Sequence, residues 1–194
     1  MGINEIVMLI LGAMLAENLV LNGALGLDLF AADSKTMKTA PHIGLLFTAV
    51  STTASFAGNL INSYLLAPLG LESLRAIAYV AVVAVLSLAA CRFAYAKMPE
   101  TAKTLGIYLP LTGANSAVLA LMLKTSGSGY GIMMSLLVGF GAGIGFLLVS
   151  LIFSGVRERI EFADTPKAFA GTPIMFVSAA LLCLAFMGLV GLRL

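Results

Sequence analysis

One stretch of this chain, Leu105 to Leu123, is apolar enough to cross a membrane but is a poor candidate for a continuous helix. Its sequence is LGIYLPLTGANSAVLALML, in which Pro110 removes a backbone donor, Gly113 adds backbone freedom, and Asn115 and Ser116 place polar groups at membrane depth. In hydrocarbon every backbone polar group needs an internal partner, so a broken helix persists only where protein or a lined cavity shields it. The stretch therefore indicates a buried working site.

A second interrupted segment, Ala16 to Phe30, lies near the N-terminus and reads AENLVLNGALGLDLF. Two broken spans, one in each half of a membrane protein, are the best pointer in a sequence to a buried working site.

The composition excludes an ordinary soluble domain. The chain has 194 residues, of which 60% are hydrophobic and 10% charged, and its mean hydropathy is +1.06. A soluble domain carries about 25% charged residues. The sequence shows no phosphate loop, CxxC, HExxH or nucleophile elbow, and its two cysteines, Cys91 and Cys183, lie in apolar runs where a disulfide is not expected. This is an integral membrane protein without a recognisable soluble-enzyme motif.

Six spans of about 20 apolar residues account for the whole chain as one membrane domain, residues 1–194. They are Ile3–Leu27, Ile43–Leu66, Leu74–Tyr95, Leu105–Leu123, Gly131–Val156 and Pro173–Leu192. The fold class predicted is all-α, with six transmembrane helices. The connector from Val156 to Gly171 mixes charged and aromatic residues, which is typical either of a solvated amphipathic turn or of a docking surface for a cytoplasmic partner.

The basic residues predict the orientation. Eight of the eleven Lys and Arg residues follow the first, third and fifth spans: Lys35, Lys38, Arg92, Lys97, Lys103, Arg157, Arg159 and Lys167. By the positive-inside rule these connectors face the cytoplasm, and both termini face the outer side.

Six spans divide into two halves of three, approximately residues 1–97 and 98–194. An odd number of crossings per half makes the halves inverted repeats, with interrupted first and fourth helices running antiparallel. Asn18 and Asn115 stand at matching places in the two interrupted segments.

The fifth span carries two small-residue patterns, Gly139-x-x-x-Gly143 and Gly141-x-x-x-Gly145. Such patterns let helix backbones approach closely. We expect them to pack within this subunit, with a subunit interface as the alternative.

Ionisable groups at membrane depth are costly and often functional. Glu17 falls near the middle of the first span, where it is either a buried, paired or protonated structural carboxylate or a group that handles a cation or proton. Asp28 either caps the segment that follows or acts as a ligand. Glu17, Asn18 and Asn115 are the candidate residues of an ion pathway.

Three segments carry a resemblance to a known family: LPLTGANSAVLALML, RERIEFADTPKAFAG and LAFMGLVGL. They resemble, end to end, the family of the Rnf A and Nqr E subunits of ion-translocating oxidoreductases. The resemblance implies a multi-pass subunit in the lipid bilayer of a bacterial or archaeal cell membrane. It implies electron transfer coupled to Na⁺ or H⁺ movement, by a subunit that is not catalytic alone.

The resemblance also implies partners and a cofactor. The partners are an oppositely oriented homologue, of the Rnf E or Nqr D type, and subunits that carry flavin and iron–sulfur groups; no nucleic acid partner is expected. The cofactor is an iron–sulfur cluster, held by cysteines on the broken spans of both homologous subunits.

This sequence departs from the family at the ligand positions, since Asp28 and Ser116 stand where the motifs LGxC and NC-A have cysteine. Thiolates are the usual ligands of iron–sulfur clusters, and carboxylates and hydroxyls are harder donors. Three interpretations stay open. The chain is a divergent subunit that lacks the cluster or carries it by other means, or Asp28 and Ser116 ligate it unusually. Alternatively, the scaffold transports an ion or small solute without redox chemistry, through oxygen ligands from Asp28, Glu17 and Asn115.

Overall fold

A computed structural model describes residues 3–23, 25–26, 40–97, 99, 102–103 and 108–188. Within these residues the chain is built from helices and short turns. The helices are α1 (Ile3–Leu11), α2 (Leu19–Gly23), α3 (Ala40–Ile61), α4 (Arg75–Lys97), α5 (Tyr108–Gly113), α6 (Ser116–Gly127), α7 (Ile132–Glu161) and α8 (Thr172–Met187). Two π-helical turns, Gly12–Ala16 and Asn62–Leu66, extend α1 and α3.

The described helices have the lengths that a membrane protein needs. Four stretches are long and apolar enough to cross a bilayer: Asn4–Gly23, Ala40–Leu66, Glu72–Lys97 and Ile132–Glu161. The fourth predicted span is split into α5 and α6, and α8 is a shorter apolar helix within the sixth. The chain is therefore an all-α membrane protein whose first and fourth predicted spans are interrupted.

The helix α7 is longer than the fifth predicted span, which ends at Val156. It continues to Glu161, so the sequence RERIE belongs to the helix and not to a turn. Arg and Glu are good helix formers, and adding residues to an existing helix costs less free energy than starting a new helix. The expectation of a turn from Val156 onward is wrong for these five residues.

The centre of the fold is an antiparallel contact between α3 and α7. A Cβ atom added at Gly143 would lie 2.5 Å from the Cα of Thr48, and one added at Gly44 would lie 2.9 Å from the Cα of Leu147. The ring of Phe47 stacks on that of Phe146 with centroids 3.9 Å apart. Glycine allows this approach because it has no side chain to separate the two backbones.

A second row of glycines on α7 faces the first span. A Cβ at Gly141 would lie 2.9 Å from the carbonyl oxygen of Ile10, and one at Gly145 would lie 2.6 Å from that of Met14. The order of these contacts makes α1 parallel to α7. The prediction that the glycine patterns pack within the subunit is confirmed for both rows.

The outer helices α4 and α8 pack on the interrupted spans of the opposite half. Helix α4 lies against α5 and α6, and α8 lies against α2. Each half of the chain therefore covers the broken span of the other half. Two inverted repeats would give this arrangement, and the repeat boundaries near residue 97 stay a prediction.

Candidate functional site

The first interruption lies between the π-helical turn and α2, where the side chain of Asn18 bonds to backbone groups next to the break. Asn18 is buried, with 2% of its surface exposed. Its Oδ1 accepts a hydrogen bond from the backbone N–H of Val20 at 3.0 Å, and its Nδ2 donates to the carbonyl of Met14 at 2.8 Å. One amide thus bonds to the backbone on both sides of the break, as a break in hydrocarbon requires.

At the second interruption an asparagine side chain also accepts a hydrogen bond from the backbone N–H two residues further on. Asn115 is also 2% exposed, has an extended backbone, and accepts a hydrogen bond from the N–H of Ala117 at 2.7 Å. It is the N-cap of α6. The matching roles of Asn18 and Asn115 agree with their matching places in the two halves.

The break does not occur at Pro110, which is one of the four residues that mark this segment as interrupted in the sequence. Pro110 lies in the first turn of α5, where a missing N–H costs little, and its carbonyl accepts the N–H of Ala114 at 3.0 Å. The chain leaves the helix only after Gly113, because the side chain of Asn115 offers a competing partner for the backbone.

Each interruption is held against a different helix. The Nδ2 of Asn18 lies 2.7 Å from where a Cβ at Gly145 would be, so α7 has no room for a side chain there. On the other side, the hydroxyl of Ser87 donates to the carbonyl of Pro110 at 2.7 Å, and a Cβ at Gly113 would lie 2.5 Å from the Cα of Ser87. Helices α7 and α4 therefore position the first and second interruption, respectively.

The two interrupted segments meet at Gly26, which follows α2 in the first of them. This buried glycine has φ of 83°, and a Cβ there would lie 3.5 Å from both the Cβ of Ala117 and the Oδ1 of Asn115, and 3.3 Å from the Phe146 ring. The left-handed backbone and the close neighbours both favour glycine. The structure thus brings together the two segments in which the sequence places the site.

The two candidate ligand positions have different outcomes. Ser116 is the first residue of α6, is exposed, and lies beside Asn115, with its hydroxyl 3.5 Å from the Asn115 Oδ1. Asp28 lies outside the described residues, two positions after Gly26 in the sequence.

Glu17 is exposed, so the expected burial of its carboxylate is wrong, but it is paired, as the same expectation allowed. Its Oε2 lies 2.8 Å from the Nζ of Lys124, and the two side chains are 55% and 35% exposed. Sequence reasoning missed Lys124, because 107 residues separate it from Glu17 and no local pattern connects them.

The residues near the interruptions do not fit a thiolate-ligated iron–sulfur cluster. Cys91 lies in α4, and Cys183 lies in α8 with its Sγ 3.8 Å from the carbonyl of Val20. Among the described residues, no group of three or more His, Cys, Asp or Glu side chains is placed to hold a metal ion. Asp28 and Ser116 would supply only oxygen donors at the motif positions.

Comparison with known proteins gives the relationship of this chain. Residues 6–193 match the family described as "Rnf-Nqr subunit, membrane protein". The chain is 40% identical over 188 residues to the A subunit of the ion-translocating oxidoreductase complex of Aliivibrio salmonicida, with 97% of each chain covered. The corresponding A subunits of Vibrio cholerae and Thioalkalivibrio sulfidiphilus are also 40% identical, with 97% of this chain and 97% and 98% of theirs covered. This chain belongs to the Rnf-Nqr family of membrane subunits.

Proposed function

We propose that this chain is a membrane subunit of an ion-translocating oxidoreductase complex, in which electron transfer drives the movement of Na⁺ or H⁺. The relatives that it matches over nearly their whole length are named as the A subunits of such complexes. Their names support this function over the alternative of an ion or solute transporter without a redox role.

The observation that carries the proposal is the contact between the two interrupted segments at Gly26 and Asn115. These residues stand in the two motifs in which the family has its cluster cysteines, and buried asparagines and glycines near them maintain the broken backbone. Broken helices at membrane depth serve to line a site, since the bilayer alone would not satisfy their backbone groups.

We further propose that an oppositely oriented homologous subunit covers the exposed face near Ser116. Ser116 and Glu17 are both exposed in the isolated chain at the interrupted spans. Lipid offers no hydrogen-bond partners to such groups, whereas a polar-lined subunit interface does. Subunits that carry flavin and iron–sulfur groups complete the complex in this proposal.

The donor set limits the role of this chain. Since neither motif position has a thiol, we propose that it supplies the scaffold and the ion-conducting side of the complex, and that other subunits carry the electrons. Of the ion-pathway candidates, Asn18 and Asn115 have capping roles, and Glu17 pairs with Lys124.

Purification of the intact complex through a tag on this chain tests the proposal. We expect a second homologous subunit and flavin-containing subunits to co-purify, and membrane vesicles to take up Na⁺ or H⁺ when an electron donor is added. Purification of this chain without redox subunits would contradict the proposal.

Iron analysis and EPR spectroscopy of the same complex test the donor set. The exchange Asp28→Cys with Ser116→Cys restores the motif thiols and is expected to raise the iron content if the family geometry is retained. Asp28→Cys with Thr53→Cys is the control, because Thr53 lies within the continuous helix α3. Equal iron in both variants would show that the cluster geometry has been lost.

The predicted orientation is tested separately. We expect both termini on the outer side of the cell membrane, as the basic residues indicate. A reporter that is active only in the cytoplasm, fused after Leu194, should be inactive. Cytoplasmic activity would overturn the orientation.

A further inference from the structure

An ion pair joins the two interrupted spans directly. Glu17 is the residue that ends the π-helical turn before the first interruption, and Lys124 lies in the last turn of α6. Their Oε2 and Nζ atoms are 2.8 Å apart. The other ion pair that we describe, Arg75 with Glu72, is local to the start of α4 and only three residues apart.

The ion pair lies beside a buried apolar cluster that joins the first span to α6 and α7. Ala13 and Leu121, one turn before Glu17 and Lys124, are buried in one cluster with Val138 and Ala142 of α7. These α7 residues lie about 9–15 Å from the helix start at 1.5 Å per residue. The two charged side chains themselves are 55% and 35% exposed, and Lys124 directly follows Leu123, the last residue of the fourth predicted span. The pair therefore lies at the edge of the apolar cluster.

The pair and the Gly26 contact lie at opposite ends of α6. At the start of the helix, Asn115 and Ala117 touch Gly26. Nine residues further along, Lys124 holds Glu17. Helix α6 also packs against α3 and α4 along its length, and the ion pair adds a polar contact between its last turn and the first span.

We infer that Glu17 and Lys124 are positioning residues that fix α6 against the first span, and thereby position the site at which the two interrupted segments meet. The inference rests on the proposed function, since it concerns the site of the translocating complex. The pair acts through the placement of Asn115 and Ser116 relative to Gly26. The inference also assigns a role to Glu17, which lies outside the two cysteine motifs of the family.

Charge exchange in the intact complex tests the inference by activity. The measurement is uptake of radioactive sodium, or of protons, by vesicles supplied with an electron donor and an electron acceptor. Glu17→Lys alone and Lys124→Glu alone are expected to lower uptake about tenfold, and the double exchange to recover most of it, as is usual for strongly coupled contacting residues. The matched control exchanges the charges of the local ion pair, as Glu72→Arg, as Arg75→Glu, and as the two together. Each of these variants should change uptake less than about twofold.

A cross-link provides a readout of geometry. The Cβ positions of residues 26 and 117 are 3.5 Å apart, within the range for disulfides. In a background of Cys91→Ala and Cys183→Ala, the variant with Gly26→Cys and Ala117→Cys should form an intrachain disulfide under mild oxidation. Its formation should slow severalfold in the charge-reversed single variants and recover in the double exchange. The strain at position 26 is common to all variants, so it does not affect the comparison.

Several outcomes would overturn the inference. It is wrong if the single reversals leave both uptake and cross-linking unchanged, or if the double exchange fails to recover cross-linking, which would mean that Glu17 acts independently of Lys124. Absence of redox-driven uptake in the unchanged complex would instead contradict the proposed function, and the cross-link would still decide the role of the pair.

Discussion

Replacement of Asn115 by alanine should destabilise the protein by an amount that the structure allows us to work out. The side chain of Asn115 caps α6 by accepting the N–H of Ala117 at 2.7 Å, and both residues are buried. Asn115→Ala removes the acceptor and leaves that N–H without its partner.

Two contributions add to the loss. An N-cap asparagine contributes about 1 kcal/mol to helix stability in water, where the released N–H is solvated after the substitution. Ala117 is 0% exposed, so water does not replace the lost acceptor here. A buried unsatisfied donor costs a further 1–3 kcal/mol or so. We therefore expect the free energy of unfolding to fall by about 2–4 kcal/mol.

Equilibrium unfolding in mixed detergent micelles, followed by circular dichroism, measures this loss. Asn115→Ser keeps an oxygen acceptor at the cap and should lose no more than about 1 kcal/mol. Thr53→Ala is the matched control, because the Thr53 hydroxyl only donates to carbonyls of its own helix, at 2.9 and 3.0 Å. The reasoning is refuted if Asn115→Ala costs no more than Thr53→Ala, or if Asn115→Ser costs as much as Asn115→Ala.

Two other substitutions test the packing that supports the site. Gly145→Ala would place a Cβ 2.6 Å from a backbone oxygen and should lower the free energy of unfolding by about 1–3 kcal/mol in the same assay. Gly127→Ala is the control and should leave the free energy of unfolding unchanged, because no atom lies within 4 Å of the added Cβ. Equal effects of the two substitutions would contradict the close packing at Gly145. Asn59→Ala removes three hydrogen bonds: two of 2.6 Å, to the carbonyl of Tyr130 and the hydroxyl of Ser135, and one of 3.2 Å from the hydroxyl of Ser63. The substitution should cost about 2 kcal/mol, at about 0.6 kcal/mol or more per bond in a membrane. An unchanged unfolding midpoint for Asn59→Ala would show that these bonds do not hold α3 to α7.

Much of the fold follows from local properties of the sequence. Hydropathy over windows of about 20 residues identifies a membrane protein and most of its spans. The asparagines and glycines of the two interrupted segments mark the breaks, because capping and backbone freedom act within a few residues. Local chemistry is less reliable where two signals compete, since Pro110 suggests a break that Asn115 produces.

The sequence alone determined that this is a membrane protein with two interrupted spans, and that oxygen donors replace the expected thiols at positions 28 and 116. These conclusions depend on residue identity and on interactions along the chain. Only the tertiary structure decided that Gly26 meets Asn115, that the glycines of α7 face two different helices, and that Glu17 pairs with Lys124. These contacts join residues far apart in sequence, and they depend on how the packed helices are aligned, which no local pattern specifies.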